Sequence, residues 1–146
     1  MSVMTGRCFA DTNVAVYALD ADPVRRRAAL AVLKARPTIS VQVVNEFLSV
    51  ALGKMRLPRP TALRLAGILM QRCEIVDLSV EMVRSALDIG LRYQISHWDA
   101  LIVAAALRIG CDTLYSEDLQ DGQVFENRLT VRNPFPPAGT AGKSQP

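Results

Sequence analysis

The chain has 146 residues, half of them hydrophobic but only 5% aromatic, with a net charge of +3 and a pI near 9.0. That length favours one domain around one core, and the longest apolar run, 100–107, falls far short of the roughly 18 residues of a membrane span. The N-terminus lacks the charged, apolar and cleavage regions of a signal peptide, so a cytoplasmic location without membrane attachment is expected.

Residues 7–10 read as a strand that closes on Asp11, and 13–20 as a helix that Asp11 or Thr12 caps. Asp22-Pro23 opens a second helix, which runs through Arg25-Arg26-Arg27 to about Arg36, where Pro37 ends it. A short strand over 38–41 leads into a helix over 42–54, where Val43, Val44, Phe47, Leu48 and Val50 recur at helical spacing. After a loop at 56–60 come a helix over 61–72, a strand over 74–78 and a helix from the Ser79 cap to about Tyr93. Ser96 starts a further helix that stops at Gly110. Strands follow at 113–115 and 129–131. From residue 136 the composition turns to Ala, Gly, Thr, Ser and Pro, so a disordered tail over 136–146 is expected after a domain over 1–135. Strands alternating with helices predict an α/β fold, with a short-stranded parallel sheet covered on both faces.

Cys8, Cys73 and Cys111 are odd in number, widely spaced and form no Cys-x-x-Cys pair. Buried, reduced thiols are the expectation, rather than a zinc site or a disulfide framework.

Four isolated acids stand at element boundaries in apolar company: Asp11, Glu46, Asp99 and Asp118. Three have ordinary structural explanations. Asp11 can cap a helix, Asp99 stands three residues after Ser96 as in a capping box, and Asp118 can be a turn residue. Glu46 is harder to explain, because its neighbours Gln42, Val43, Ser49 and Val50 make half of its helix face apolar. An unpaired carboxylate there would cost several kcal/mol or take up a proton. Right-handed crossovers bring all four positions to one edge of the sheet, and a shared cation resolves their repulsion.

Oxygen-only ligands favour Mg²⁺, with Mn²⁺ the alternative, over zinc. Such ions activate water and stabilise a leaving oxygen in phosphodiester hydrolysis. Setting the four acids aside raises the charge of the remainder from +3 to +7, and a basic body around an acidic pocket suits a polyanionic substrate. His97 is the sole histidine, so two-histidine ribonuclease chemistry is excluded, and neither Gly-x-Ser-x-Gly nor a phosphate-cradling Gly-x-x-x-x-Gly-Lys occurs.

Asp11-Thr12-Asn13 after the first strand, Asn45-Glu46-Phe47 on a helix, the run from Trp98-Asp99 to Ala106, and Ser116-Glu117-Asp118 through Gln123 follow one another in an order that resembles PIN-domain ribonucleases. The resemblance spans residues 7–135, includes the late Asn133-Pro134-Phe135, and is closest to the VapC-type toxins of type II toxin–antitoxin pairs. It implies a three-layer α/β/α fold and Mg²⁺-dependent endoribonuclease activity on single-stranded RNA. It also implies a homodimer and a small antitoxin partner. By the same resemblance Asp11, Glu46, Asp99 and Asp118 are the catalytic and metal-binding acids, with Asp11 and Asp99 the most direct ligands. Asn13 and Ser116 would orient the carboxylates, and Asp121 would lie near them. His97 and Trp98 are expected to pack.

Two rivals lack their own signatures. A phosphate-accepting receiver domain needs adjacent acids after its first strand and a late lysine, but no lysine occurs between Lys54 and Lys143. A haloacid-dehalogenase-like phosphatase needs Asp-x-Asp, which is here Asp-x-Asn. The alternative from another class is a non-catalytic PIN-fold binding module, against which the intact quartet argues. The segment 63–70 is apolar on more than one face. It predicts a homodimer and a groove for an amphipathic antitoxin helix over the helices at 42–54 and 61–72.

Overall fold

The expected alternation of strands and helices is present in the computed structural model, which describes residues 6–137. In chain order the elements are β1 (Cys8–Ala10), α1 (Thr12–Tyr17), α2 (Pro23–Lys34), β2 (Thr38–Ser40), α3 (Val41–Leu52), α4 (Arg59–Arg72), β3 (Glu74–Val76), α5 (Val80–Tyr93), α6 (His97–Arg108), β4 (Thr113–Tyr115), β5 (Val124–Phe125) and β6 (Leu129–Arg132). Side-chain oxygens start most of the helices, as the sequence suggests: Asp22, Ser40, Ser79 and Ser96 each accept from a backbone N–H of the first turn. Helix α1 stops at Tyr17 rather than near 20, because Leu19 and Asp20 donate to carbonyls three residues back and tighten the chain into the next cap. The tail expected from residue 136 has no regular structure at Pro136 and Pro137, and its remainder lies outside the described residues. Among the described residues no helix is long and apolar enough to cross a membrane.

The six strands run in the order β3-β2-β1-β4-β6-β5. All neighbouring pairs are parallel except β5 with β6. Strand β5 is absent from the sequence reading. It is two residues long, and its hairpin turn at Glu126 and Asn127 takes two left-handed backbones (φ 52° and 59°) without glycine. Such a turn normally announces itself as Asn-Gly or Asp-Gly. Here tertiary contacts hold it instead: Tyr93 Oη donates to Glu126 Oε2 at 2.8 Å and accepts from the Glu126 N–H at 3.1 Å, while Arg92 pairs with the Glu126 carboxylate at 2.7 Å.

Consecutive residues of the central strands are buried on both faces, including Phe9, Ala10, Ile39, Ser40 and Leu114. This is the pattern of a sheet covered on both sides by helices. From β1 the chain steps outward to β2 and β3, then returns past β1 to β4 through α5 and α6. With right-handed crossovers the reversal puts the two sets of helices on opposite faces and makes the three-layer α/β/α arrangement. The direction changes between β1 and β4. Open α/β sheets bind ligands beyond the carboxyl ends of the strands at such a point.

Candidate metal centre

Asp11 follows β1 directly, and Ser116-Glu117-Asp118 follows β4 directly, so both groups stand at the reversal point. Asp99 arrives from the other direction, on the first turn of α6, whose cap Ser96 accepts from the Asp99 N–H at 3.1 Å. One carboxylate oxygen from each of Asp11, Asp99 and Asp118 lies within 4.8 Å of the other two. Their burial is graded: Asp11 is 4% exposed, Asp99 half-buried and Asp118 exposed. The cluster is therefore most open to solvent at Asp118.

Asp11 is the anchor. Its Oδ1 accepts from the Thr12 N–H at 2.7 Å and its Oδ2 from the Ser116 hydroxyl at 2.8 Å. The Ser116 oxygen in turn accepts from the Asp118 N–H at 3.0 Å, so one buried hydroxyl joins two of the three acids. Asn13 completes that side. Its Nδ2 donates to Asp118 Oδ2 and its Oδ1 accepts from the Glu117 N–H, each at 3.3 Å. Burial raises the Asp11 carboxyl from the ordinary 3.8 to about 6, against the lowering effect of Ser116 and Thr12, and with help from the charges of Asp118 and Asp99. Desolvation likewise raises Asp99, opposed by its hydrogen bond with Ser96 and assisted by Asp118 and Glu46.

Glu46 stands at the rim of this cluster and outside the group of three. It is not an unpaired carboxylate, as its apolar neighbours suggested: Thr12 Oγ1 donates to its Oε1 at 2.6 Å and Gln42 Nε2 to its Oε2 at 3.2 Å. Asp121 makes a contact of its own. Its Oδ1 accepts from the Asn133 N–H at 2.9 Å, and Asn133 Oδ1 accepts from the Phe135 N–H, which fastens the chain after β6. Phe135 is buried there, edge-on to Tyr17. Trp98 does not pack as expected, being 63% exposed beside the site. Thr12, expected from the sequence only as a possible helix cap, and Gln42, noted only as a helix neighbour of Glu46, are the two further contributors. Gln42 precedes Glu46 by four residues on α3, a spacing that faces the two side chains towards each other.

Three carboxylates converging on one point repel one another, and an Asp whose carboxyl rises to about 6 is an acid held partly against its charge. The donors are all hard oxygens, the ligand type that Mg²⁺ and Mn²⁺ prefer, and three of them face one point. The residues present fit a small divalent cation held by Asp11, Asp99 and Asp118.

The sequence profile of the PIN domain matches residues 8–121. No curated protein matches significantly. Among solved structures, VapC20 of Mycobacterium tuberculosis, described as a sarcin–ricin loop cleaving toxin, superposes with a TM-score of 0.62 at 20% identity, covering 75% of this chain and 88% of its own. A toxin–antitoxin complex from Klebsiella pneumoniae gives 0.65 at 21% identity, covering 88% and 98%. DNA-bound VapBC from Salmonella typhimurium gives 0.66 at 16% identity, again covering 88% and 98%. At these identities the likeness is one of fold.

Proposed function

The chain belongs to the PIN-domain family, and on that premise we propose that it is a Mg²⁺-dependent endoribonuclease acting on single-stranded RNA, the toxin of a toxin–antitoxin pair. The observation that carries this reading is the convergence of Asp11, Asp99 and Asp118 within 4.8 Å at the reversal point of the sheet. A bound Mg²⁺ or Mn²⁺ supplies an activated water and charge stabilisation at the phosphate.

The chain's own residues prepare that site. Ser116 and Thr12 aim the two Asp11 oxygens, and Asn13 holds the exposed Asp118 against the loop after β4. Thr12 also keeps the Glu46 carboxylate turned towards the start of α1. There Glu46 joins the quartet as a fourth acid, a ligand or an acceptor for water. The excess of basic residues elsewhere draws in the RNA backbone.

The partner reading has a site too. An apolar cavity of about 510 Å³ runs between α1, α2, α3 and α4, lined by Leu19, Leu30, Phe47, Leu65 and Ile68, with Lys34 and Arg72 at its edge. An amphipathic antitoxin helix with acidic flanks suits it. It includes the α3 and α4 faces expected from the sequence and adds those of α1 and α2. For a homodimer, Leu63 and Met70 of α4 and Val80, Leu87 and Leu91 of α5 are exposed apolar side chains that a second copy would cover.

Purified protein free of any partner should cut single-stranded RNA with Mg²⁺ or Mn²⁺ and stop with EDTA. Undiminished cleavage in EDTA would remove the mechanism. Sequencing RNA 5′ ends after induction in cells would identify the target. A neighbouring small protein that neither binds nor suppresses cleavage would end the toxin reading while leaving the nuclease intact.

A further inference from the structure

Gln42 is a buried polar side chain, 6% exposed, on the first turn of α3. Its Nε2 donates to two acceptors on different elements. One is Glu46 Oε2, at 3.2 Å, and the other is the main-chain oxygen of Trp98, at 3.1 Å, immediately before Asp99. Both neighbours can only accept, so the amide has one orientation: Nε2 faces them and Oε1 faces away. There Oε1 is buried, and among the described residues nothing donates to it. An unsatisfied buried carbonyl destabilises a fold, whereas an unbranched apolar side chain of similar length would fill the same space without that cost. Packing alone gives no reason for an amide at this position.

We propose that Gln42 is a positioning residue, which ties Glu46 to the α6 N-terminus bearing Asp99 and so fixes the acidic site for its cation. This rests on the reading of the site as a cation-dependent nuclease centre. The two protons on Nε2 match the two acceptors one for one. They close a continuous polar path around the site. Asp11 accepts from the Thr12 N–H, Thr12 Oγ1 donates to Glu46, Gln42 donates to Glu46 and to Trp98 O, and Asp99 follows in the chain.

Without Gln42 the Glu46 carboxylate keeps only the Thr12 hydroxyl. It is then free to rotate, and its charge already bears on Asp99. The first turn of α6 also loses its polar link to α3. Partners that orient a metal-binding shell in this way typically change metal affinity about 10–100-fold when removed. Neither a methionine nor a leucine in place of Gln42 can supply a donated hydrogen bond.

The test uses the full chain with Gln42→Met and Gln42→Leu, measuring Mn²⁺ affinity by calorimetry and stability by urea denaturation in EDTA. The expected result for Gln42→Met is unchanged or higher stability in EDTA together with Mn²⁺ binding about tenfold weaker or more. The same substitution added to Glu46→Gln should weaken Mn²⁺ binding much less than tenfold, because the carboxylate it acts through has already been neutralised. A Gln42→Met protein with unchanged Mn²⁺ affinity would overturn the proposal, most plainly if its stability falls. If that variant does not fold, Gln42→Leu decides: it also removes both donated hydrogen bonds and adds no charge beside the site, and undiminished Mn²⁺ affinity would overturn the proposal equally. Wild-type protein that binds neither Mn²⁺ nor Mg²⁺ would overturn the nuclease reading and this inference with it. Wild-type binding with unaltered variants overturns this inference alone.

Discussion

Replacing Asp11 by Asn should stabilise the metal-free protein at alkaline pH while destroying its cation site. The folded carboxyl titrates at about 6 against an ordinary 3.8, and this raised value sets the sign. Below about pH 4 the group is protonated in both states and costs nothing. As pH rises through 4 to 6 the unfolded chain releases its proton first, so the fold loses stability, and the loss is complete above the folded value. At about 1.4 kcal/mol per pH unit, the difference amounts to roughly 3 kcal/mol at pH 8.

Asparagine avoids that loss and still accepts from the Thr12 N–H, but it no longer accepts the Ser116 hydroxyl, a change that costs about 1 kcal/mol. The net expectation is a gain of about 2 kcal/mol at pH 8, or roughly 6 °C in Tm for a chain of this size. Near pH 4 the gain disappears. Denaturation of both proteins in EDTA at pH 4, 6 and 8 measures it. Adding Mg²⁺ should then reverse the ranking, since only the wild type gains cation binding, worth about 2.7 kcal/mol at a hundredfold excess over Kd. A variant less stable than wild type at pH 8, with a difference that does not change with pH, would refute the burial-driven account of Asp11.

Protons compete with the cation for Asp11, so Mn²⁺ affinity should fall about fivefold between pH 6 and pH 5, and a flat calorimetric profile would contradict this. Asp99→Asn should abolish RNA cleavage yet leave the fold as stable or more so in EDTA, because desolvation raises this carboxyl too; simple unfolding would mean that Asp99 serves only to cap α6. Ser116→Ala removes the hydroxyl shared by Asp11 and the Asp118 N–H, which should cost about 1–3 kcal/mol and raise the Asp11 carboxyl further. A carboxyl titration followed by NMR that shows Asp11 unmoved would rule out that link. Light scattering should give a dimer, and a monomer at micromolar concentration would mean that the exposed faces of α4 and α5 serve another partner.

Local rules made much of this protein legible in its sequence. Helix caps and stops depend on a few adjacent residues, so Asp22-Pro23, Ser79 and Ser96 placed their helices, and the strand endings placed Asp11 and Asp118 at one edge of a sheet. Charge and isolation in apolar company singled out the acids before any geometry was known. What only the tertiary structure decided is which groups meet. Strand β5 exists because Tyr93 and Arg92, some thirty residues away, hold its turn. Glu46 is paired rather than bare because α1 brings the Thr12 hydroxyl to it, and Asp121 holds the chain after β6 because that strand delivers the Asn133 N–H to it. The rise of Asp11 to about 6 is of the same kind, since desolvation depends on what packs above a carboxylate and not on its neighbours in the chain.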